Sequence, residues 1–307
     1  MRCFMQKTSV TLKIDEVVAN KIIEFYQDSQ LENNGEYVFF HAKTIDEVVV
    51  TIYNSSKGFK VLFTGDKALD EALIWDENAS INIPKESVKS EWLNVSNQIG
   101  SDEVGTGDFF GPLIVVAAYT SKETITLLKE LGVDDSKKLT DQKILEIVPQ
   151  VLDKVIYSQL TCPPTKYNEL IDKGHNMNSI KAILHNEALH NVRGKIHNQN
   201  VICYVDQFCD PSTYYRYLQG KYDAIFNNIV FETKAESHYP SVALASMIAR
   251  YSFIKYLEEL GNKYDVVIPK GAGKKVDEFT LSFKDKIGLE ELGKIIKKNF
   301  KNYQKLL

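Results

Sequence analysis

Apolar residues recur at two different periods along this 307-residue chain, and the switches between them outline its elements. Ile14, Val17, Val18, Ile22, Phe25 and Tyr26 fall at helical spacing between Ile14 and Gln27. Three strand-like runs come next, Glu36–Ala42, Glu47–Tyr53 and Phe59–Phe63, separated by the turn-forming stretches Thr44-Ile45-Asp46 and Asn54-Ser55-Ser56-Lys57-Gly58. A short helix is expected over Lys67–Ile74. Residues 1–75 thus read as a small α+β domain, with most of Tyr37, Phe39, Phe40, Tyr53, Phe59 and Phe63 in its core. Residues 76–97 are polar and non-periodic and read as a linker, with Trp92 placed to anchor it onto the second domain.

From Gln98 onward strands alternate with helical patterns, the signature of an α/β domain over residues 98–307. A strand carrying Asp102 and Glu103 precedes the β-forming run Leu113–Tyr119. Further strands are expected at Val155–Leu160, Val201–Asp206 and Asn228–Glu232. Helices are expected at Ser121–Leu131, Thr140–Leu152, Pro163–Ile171, Asn176–Val192 and Ser241–Leu260. The first turns of the last of these are full of small residues: Ala243, Ala245, Ser246 and Ala249.

The candidate chemistry centres on Ile99–Pro112. Asp102 and Glu103 stand where an apolar strand ends, and Gly105-Thr106-Gly107 turns the chain back. Adjacent carboxylates are hard oxygen ligands suited to Mg2+ or Mn2+. Glycines leave a turn whose backbone a phosphate or a sugar can approach. No Gly-Lys-Ser/Thr comes after it, so the turn is not a P-loop.

Asp206 also ends an apolar strand, and Glu236 lies just before the small-residue helix. If the two strands are neighbours, Asp102 and Asp206 share one rim, and the helix, packed close, brings Glu236 to it. A cluster of Asp102, Glu103, Asp206 and Glu236 would need divalent metal to offset its like charges. Two ions roughly 4 Å apart would serve in-line phosphoryl displacement, and no histidine or cysteine is placed as a nucleophile. The chemistry implied is metal-assisted phosphodiester hydrolysis.

Composition changes the picture in two ways. Hydrophobic content of 44% with 25% charged residues is that of a globular protein, and no apolar run approaches the roughly 20 residues of a membrane span. With no signal-peptide core and four cysteines (Cys3, Cys162, Cys203, Cys209) outside any metal-binding spacing, a reducing, cytoplasmic setting without zinc is expected. The net charge of −4 hides a gradient, because residues 1–97 carry −5 and residues 98–307 carry +1. The final stretch is basic, with Lys284, Lys286, Lys294, Lys297, Lys298, Lys301 and Lys305 forming a stripe that could follow a phosphate backbone.

Together these residues resemble a known family. Asp102–Pro112 (Asp-Glu-Val-Gly-Thr-Gly-Asp-x-Phe-Gly-Pro) resembles the signature of bacterial type 2 ribonucleases H, ribonuclease HIII in particular. Asp135–Leu139, Asn176–Asn178 with Lys181–Asn186, Asp206–Phe208, Lys234–Ser237, Ala245–Arg250, Pro269–Gly273 and Val276-Asp277 match in the same order. The match spans about residues 98–280.

The resemblance implies a ribonuclease H-like mixed five-stranded sheet with flanking helices, preceded by a TATA-binding-protein-like domain that grips substrate. It implies hydrolysis of the RNA strand of RNA/DNA hybrids to 5′-phosphate and 3′-hydroxyl ends, using Mg2+ or Mn2+. Asp102, Glu103, Asp206 and Glu236 fall on the metal-binding catalytic positions. Gly105, Thr106 and Gly107 fall on the turn that contacts ribose 2′-hydroxyls, and Ser136, Lys137 and Lys138 on phosphate contacts. Thr106 stands where the related ribonuclease HII, which incises at single ribonucleotides in duplex DNA, usually has arginine. That activity and non-catalytic hybrid binding are the competing expectations. No dimer seam is evident, so a monomer is expected. Lys7, Lys13, Lys43, Lys57 and Lys60 are the candidate basic contacts of the first domain.

Overall fold

A computed structural model describes residues 8–32, 38–55, 58–82, 92–133, 139–196, 201–220 and 225–306. The chain divides into two compact units, residues 1–88 and 89–307. Each has its own hydrophobic core.

The first unit is a four-stranded antiparallel sheet with helices against one face. It comprises β1 (Ser9–Ile14), α1 (Glu16–Tyr26), β2 (Val38–Lys43), β3 (Val49–Ser55), β4 (Gly58–Thr64) and α2 (Ala68–Leu73), with strand order β1-β4-β3-β2. Sequence periodicity assigns Ile14 to the helix and leaves Ser9–Lys13 unassigned. The structure makes this a strand instead, because Val10 and Leu12 alternate inward against Phe63 and Val61 while Thr11 and Lys13 face out. Asp15 then caps α1 by accepting from Val18 N at 2.8 Å. Ala19, Ile22 and Tyr26 bury the inner face of that helix. Phe40 and Phe63 are core residues as expected, whereas Phe39 is 47% exposed. Tyr37 lies outside the described residues.

The second unit carries a mixed five-stranded sheet in the order β7-β6-β5-β8-β9. Its strands are β5 (Gln98–Val104), β6 (Leu113–Thr120), β7 (Ile156–Cys162), β8 (Ile202–Asp206) and β9 (Ile229–Glu232). β5 pairs antiparallel with β6 and parallel with β8. Helices α3 (Lys122–Glu130), α4 (Asp141–Val151), α5 (Pro164–Asp172), α6 (Met177–Lys195), α7 (Pro211–Leu218), α8 (Pro240–Tyr264), α9 (Lys274–Ile287), α10 (Leu289–Gly293) and α11 (Lys301–Gln304) surround it. Both faces are covered, which is why β6 reads as a continuous apolar run. Ile114, Val116 and Ala118 point toward α8, and Val115 and Ala117 toward α6. Trp92 is buried in this unit's core. Among the described residues, no helix is long and apolar enough to cross a membrane.

One approach sets the spacing of the second unit. A Cβ added at Gly100 of β5 would lie 2.2 Å from the backbone nitrogen of Val242 and 2.3 Å from the carbonyl carbon of Ser241. The first turn of α8 therefore rests directly on the strand. Gln98, fully buried two residues earlier, accepts from Ser241 Oγ at 2.8 Å and donates to the carbonyls of Asn94 and Ser96. The small residues of α8 form the matching surface. Replacing Gly100 by alanine should destabilise the second unit by about 1–3 kcal/mol, because the clash is with backbone and not with a movable side chain. Urea denaturation of the G100A variant measures this, and a wild-type midpoint would refute the tight approach.

Candidate functional site

Strand alternation decides where the two adjacent acids go. Successive residues of β5 face opposite sides of the sheet. Gly100 and Asp102 face α8, where Ser246 hydrogen-bonds the Asp102 carboxylate. Ser101 and Glu103 face α6, where Glu103 Oε1 accepts from Lys181 Nζ at 2.6 Å and Glu103 Oε2 lies 3.0 Å from His185 Nε2. His185 is fully buried, and its Nδ1 lies 2.6 Å from Ser101 Oγ, which donates to the carbonyl of Val116. Phe208 stacks on His185 and sits 4.1 Å below Lys181 Nζ.

Asp206 joins the α8 side. The parallel register pairs Ser101 with Val205, so one step further Asp102 and Asp206 are neighbours at the same rim. Asp206 Oδ1 accepts from Ala235 N at 3.0 Å, within the short turn that leads to α8. Lys234, which opens that turn, adopts a left-handed conformation with φ of 59°, a cost borne where the turn must be tightly set. Glu232 anchors the far end by accepting from Tyr239 Oη. Glu236 is the middle residue of this turn and is fully buried.

The structure thus brings Asp102, Asp206 and the Glu236 turn to one side of the rim and sets Glu103 on the other. Among the described residues, no group of three acids, histidines or cysteines is already gathered to hold a metal ion. The electrostatics differ accordingly. Burial, then the Glu103 and Asp206 charges, hold the Asp102 carboxyl well above the usual range, outweighing Ser246 and the Glu103 amide. Burial also pushes Glu103 upward, but His185 and Lys181 outweigh it and hold that carboxyl below the usual range. An all-oxygen donor set under mutual repulsion suits a hard divalent cation. The neighbouring carboxylates of Asp102 and Asp206 are donors of the kind such an ion takes, whereas Glu103 is held toward α6 by Lys181 and His185.

The glycine turn has a rigid base and an open tip. Gly105 has φ of 91°, and a Cβ there would meet the carbonyl oxygen of Pro112 at 2.1 Å. Thr106 is half-buried, whereas Gly107 is exposed with nothing within 4 Å of an added Cβ. Asp108 Oδ1 accepts from Gly271 N at 2.6 Å, and Phe109 N donates back to Gly271 O. Ser136, Lys137 and Lys138 lie outside the described residues.

The sequence by itself assigns no role to Lys181 and His185. They stand four apart on α6, a spacing visible in the sequence, but only the fold shows that both face Glu103. The basic stripe is also corrected. Lys297 is completely buried, with its Nζ donating to the carbonyls of Asp108 and Gly111. Lys294 pairs with Glu290 and Glu291, Lys305 with Asp277, and Lys286 donates to the Tyr264 carbonyl. The basic stretch runs through α9, α10 and α11, with the buried Lys297 segment between the last two.

Known proteins resemble this chain in both sequence and fold. Residues 99–303 match the family model described as Ribonuclease HII, and residues 9–88 match a domain of unknown function, DUF3378. The chain is 40% identical over 310 residues to ribonuclease HIII of Bacillus cereus, covering 97% of both chains. It is 40% identical over 309 residues to ribonuclease HIII of Bacillus anthracis, again covering 97% of each. The crystal structure of Bst-RNase HIII in complex with Mn2+ superposes with a TM-score of 0.66 at 33% identity, covering 97% of both chains. The RNase HII of the Archaeoglobus fulgidus PCNA:RNase HII complex is similar to 67% of this chain, at 27% identity and a TM-score of 0.54. With 40% identity over nearly the whole chain, a family model spanning residues 99–303 and a matching solved fold, the chain belongs to the ribonuclease HIII family of metal-dependent endoribonucleases.

Proposed function

We propose that this chain hydrolyses the RNA strand of RNA/DNA hybrids, leaving 5′-phosphate and 3′-hydroxyl ends, with Asp102, Glu103, Asp206 and Glu236 as the residues that hold two Mg2+ or Mn2+ ions. The observation that carries this reading is the juxtaposition of Asp102 and Asp206 at the ends of β5 and β8, with the buried Glu236 turn leading into α8. When bound, the divalent ions stabilise the charge on the attacking and leaving oxygens of the displacement. The protein's part is to position. Ser246 and the Glu103 amide orient Asp102, and Ala235 N orients Asp206. Lys181 and His185 hold Glu103 ionised. The open tip at Thr106-Gly107 admits the ribose, whose 2′-hydroxyl distinguishes RNA from DNA. Ser136, Lys137 and Lys138 serve as phosphate contacts.

The first unit supplies substrate grip. Its acidic balance is no obstacle, because none of the residues in β1–β4 is acidic. The sheet face away from the helices presents Lys13 and Lys60, paired across β1 and β4, with Tyr53 next to Lys60 on β3. Lys43 lies on the same face, paired with Glu47. Lys7 and Lys57 lie outside the described residues. Such a face attracts phosphates even though the unit as a whole is negative.

Asp206→Asn should lower cleavage by at least about a hundredfold while leaving the melting temperature near wild type, because asparagine still accepts from Ala235 N. Labelled long hybrid, one-ribonucleotide duplex and plain DNA, each assayed with Mg2+, Mn2+ or EDTA, test the substrate. Metal-dependent cutting of the long hybrid alone is expected. Equal cutting of the one-ribonucleotide duplex would favour ribonuclease HII-like incision, and tight binding without cutting would leave a hybrid-binding protein.

Asp102 yields a pH prediction. In the native state it keeps its proton to higher pH than the unfolded chain, whose value is near 3.8. Its contribution to stability is therefore complete below that value and is lost as pH rises through the native one. In EDTA at pH 7, Asp102→Asn should be more stable than wild type, with the difference closing toward pH 4. Thermal melts across pH measure this, and a less stable variant at pH 7 would refute it. Removing residues 1–88 should weaken hybrid binding by at least about tenfold and flatten its salt dependence. Anisotropy titrations in a salt series that give full-length values would refute the grip.

A further inference from the structure

Lys297 is a fully buried lysine that meets the substrate-facing turn from behind. Its Nζ donates to the carbonyl of Asp108 at 2.9 Å and to that of Gly111 at 2.6 Å. Its backbone joins the same contact. Lys297 N donates to Phe109 O, Gly111 N donates to Ile295 O, and Phe110 bridges Ile296. Gly271 takes the remaining groups through Phe109 N and Asp108 Oδ1. The downstream half of the turn is thus held in place almost atom by atom, while Gly107 at its tip is exposed.

Burying an ammonium is costly, and a methionine would fill the same space without that cost. What the ammonium adds is a pair of charge-assisted hydrogen bonds that fix the direction of two carbonyls. We propose that Lys297 is a positioning residue for this turn. Its charge fixes the Asp108 and Gly111 carbonyls and thereby holds Gly105–Gly107 in the conformation that receives the RNA strand. The inference rests on the reading of that turn as the ribose contact.

The charge on Lys297 responds to pH near neutrality. Burial pulls its proton affinity down to about 8, against the opposing pull of the Asp108 carboxylate in the turn; Cys162 at the end of β7 also faces it. Cys162 is itself pushed up by burial to about 11, with Lys166 of α5 nearby, so its thiol stays neutral over the range that matters. Raising pH through about 8 weakens the hold on the turn, whereas arginine would keep its charge throughout.

The test measures kcat and KM for a long RNA/DNA hybrid between pH 7 and 9.5, with melting temperatures, for wild type, Lys297→Met and Lys297→Arg. In wild type, KM should rise several-fold across this range. K297M should raise KM at pH 7 at least about tenfold, change kcat by less than about threefold, and abolish the pH dependence of KM. K297R should restore KM at pH 7 and hold it across the range. A folded K297M with wild-type KM, or one that keeps the wild-type pH profile, would overturn the inference. Should K297M not melt cooperatively, a flat wild-type KM profile would overturn it equally. A wild-type protein that cuts no hybrid would instead overturn the underlying reading of the site.

Discussion

Without a side chain at position 100, the first turn of α8 lies against the backbone of β5, and the geometry of the site depends on that contact. The helix arrives there through the short turn that carries Glu236, so its height over the sheet sets the height of Glu236 over the rim. Ser246, one turn and a half further along the helix, reaches Asp102 only at the same spacing. Gln98 and Ser241 lock the approach through a fully buried hydrogen bond. A wider spacing would leave Gln98 buried without that partner, which is why the helix does not drift.

The sheet itself then sorts the charges. Alternation along β5 sends Asp102 and Glu103 to opposite faces, and each face answers differently. On the α6 side, Lys181 and His185 neutralise Glu103 within the protein. On the α8 side, Asp102 and Asp206 repel one another, and Asp102 holds its proton strongly. The repulsion is the electrostatic counterpart of the proposed chemistry, since a divalent cation is the partner that relieves it. Two adjacent carboxylates in the sequence are therefore two different electrostatic environments in the fold.

The same division between a fixed frame and an open edge recurs in the turn after β5. Its base is committed to residues 271 and 295–297, far away in sequence, while its tip faces solvent. A turn built this way presents backbone groups without having to order itself on binding, which lowers the entropic cost of recognition.

The central hairpin, the strand endings at Asp102 and Asp206 and the small-residue face of α8 are legible in the sequence by itself, because they depend on local periodicity and on residue types with narrow conformational uses. Ser9–Ile14 is not, because a single strand at a sheet edge is short and its pattern merges with the capped helix after it. Only the tertiary structure decided which residues share a face across long sequence separations. It took Lys297 out of a basic stripe and put it beneath the turn, joined Lys181 and His185 to Glu103, and showed that the clean charge of the first sheet coexists with an acidic unit. The reason is physical. Periodicity records which side of its own element a residue occupies, whereas burial, hydrogen-bond partners and proton affinity depend on what another element brings against that side.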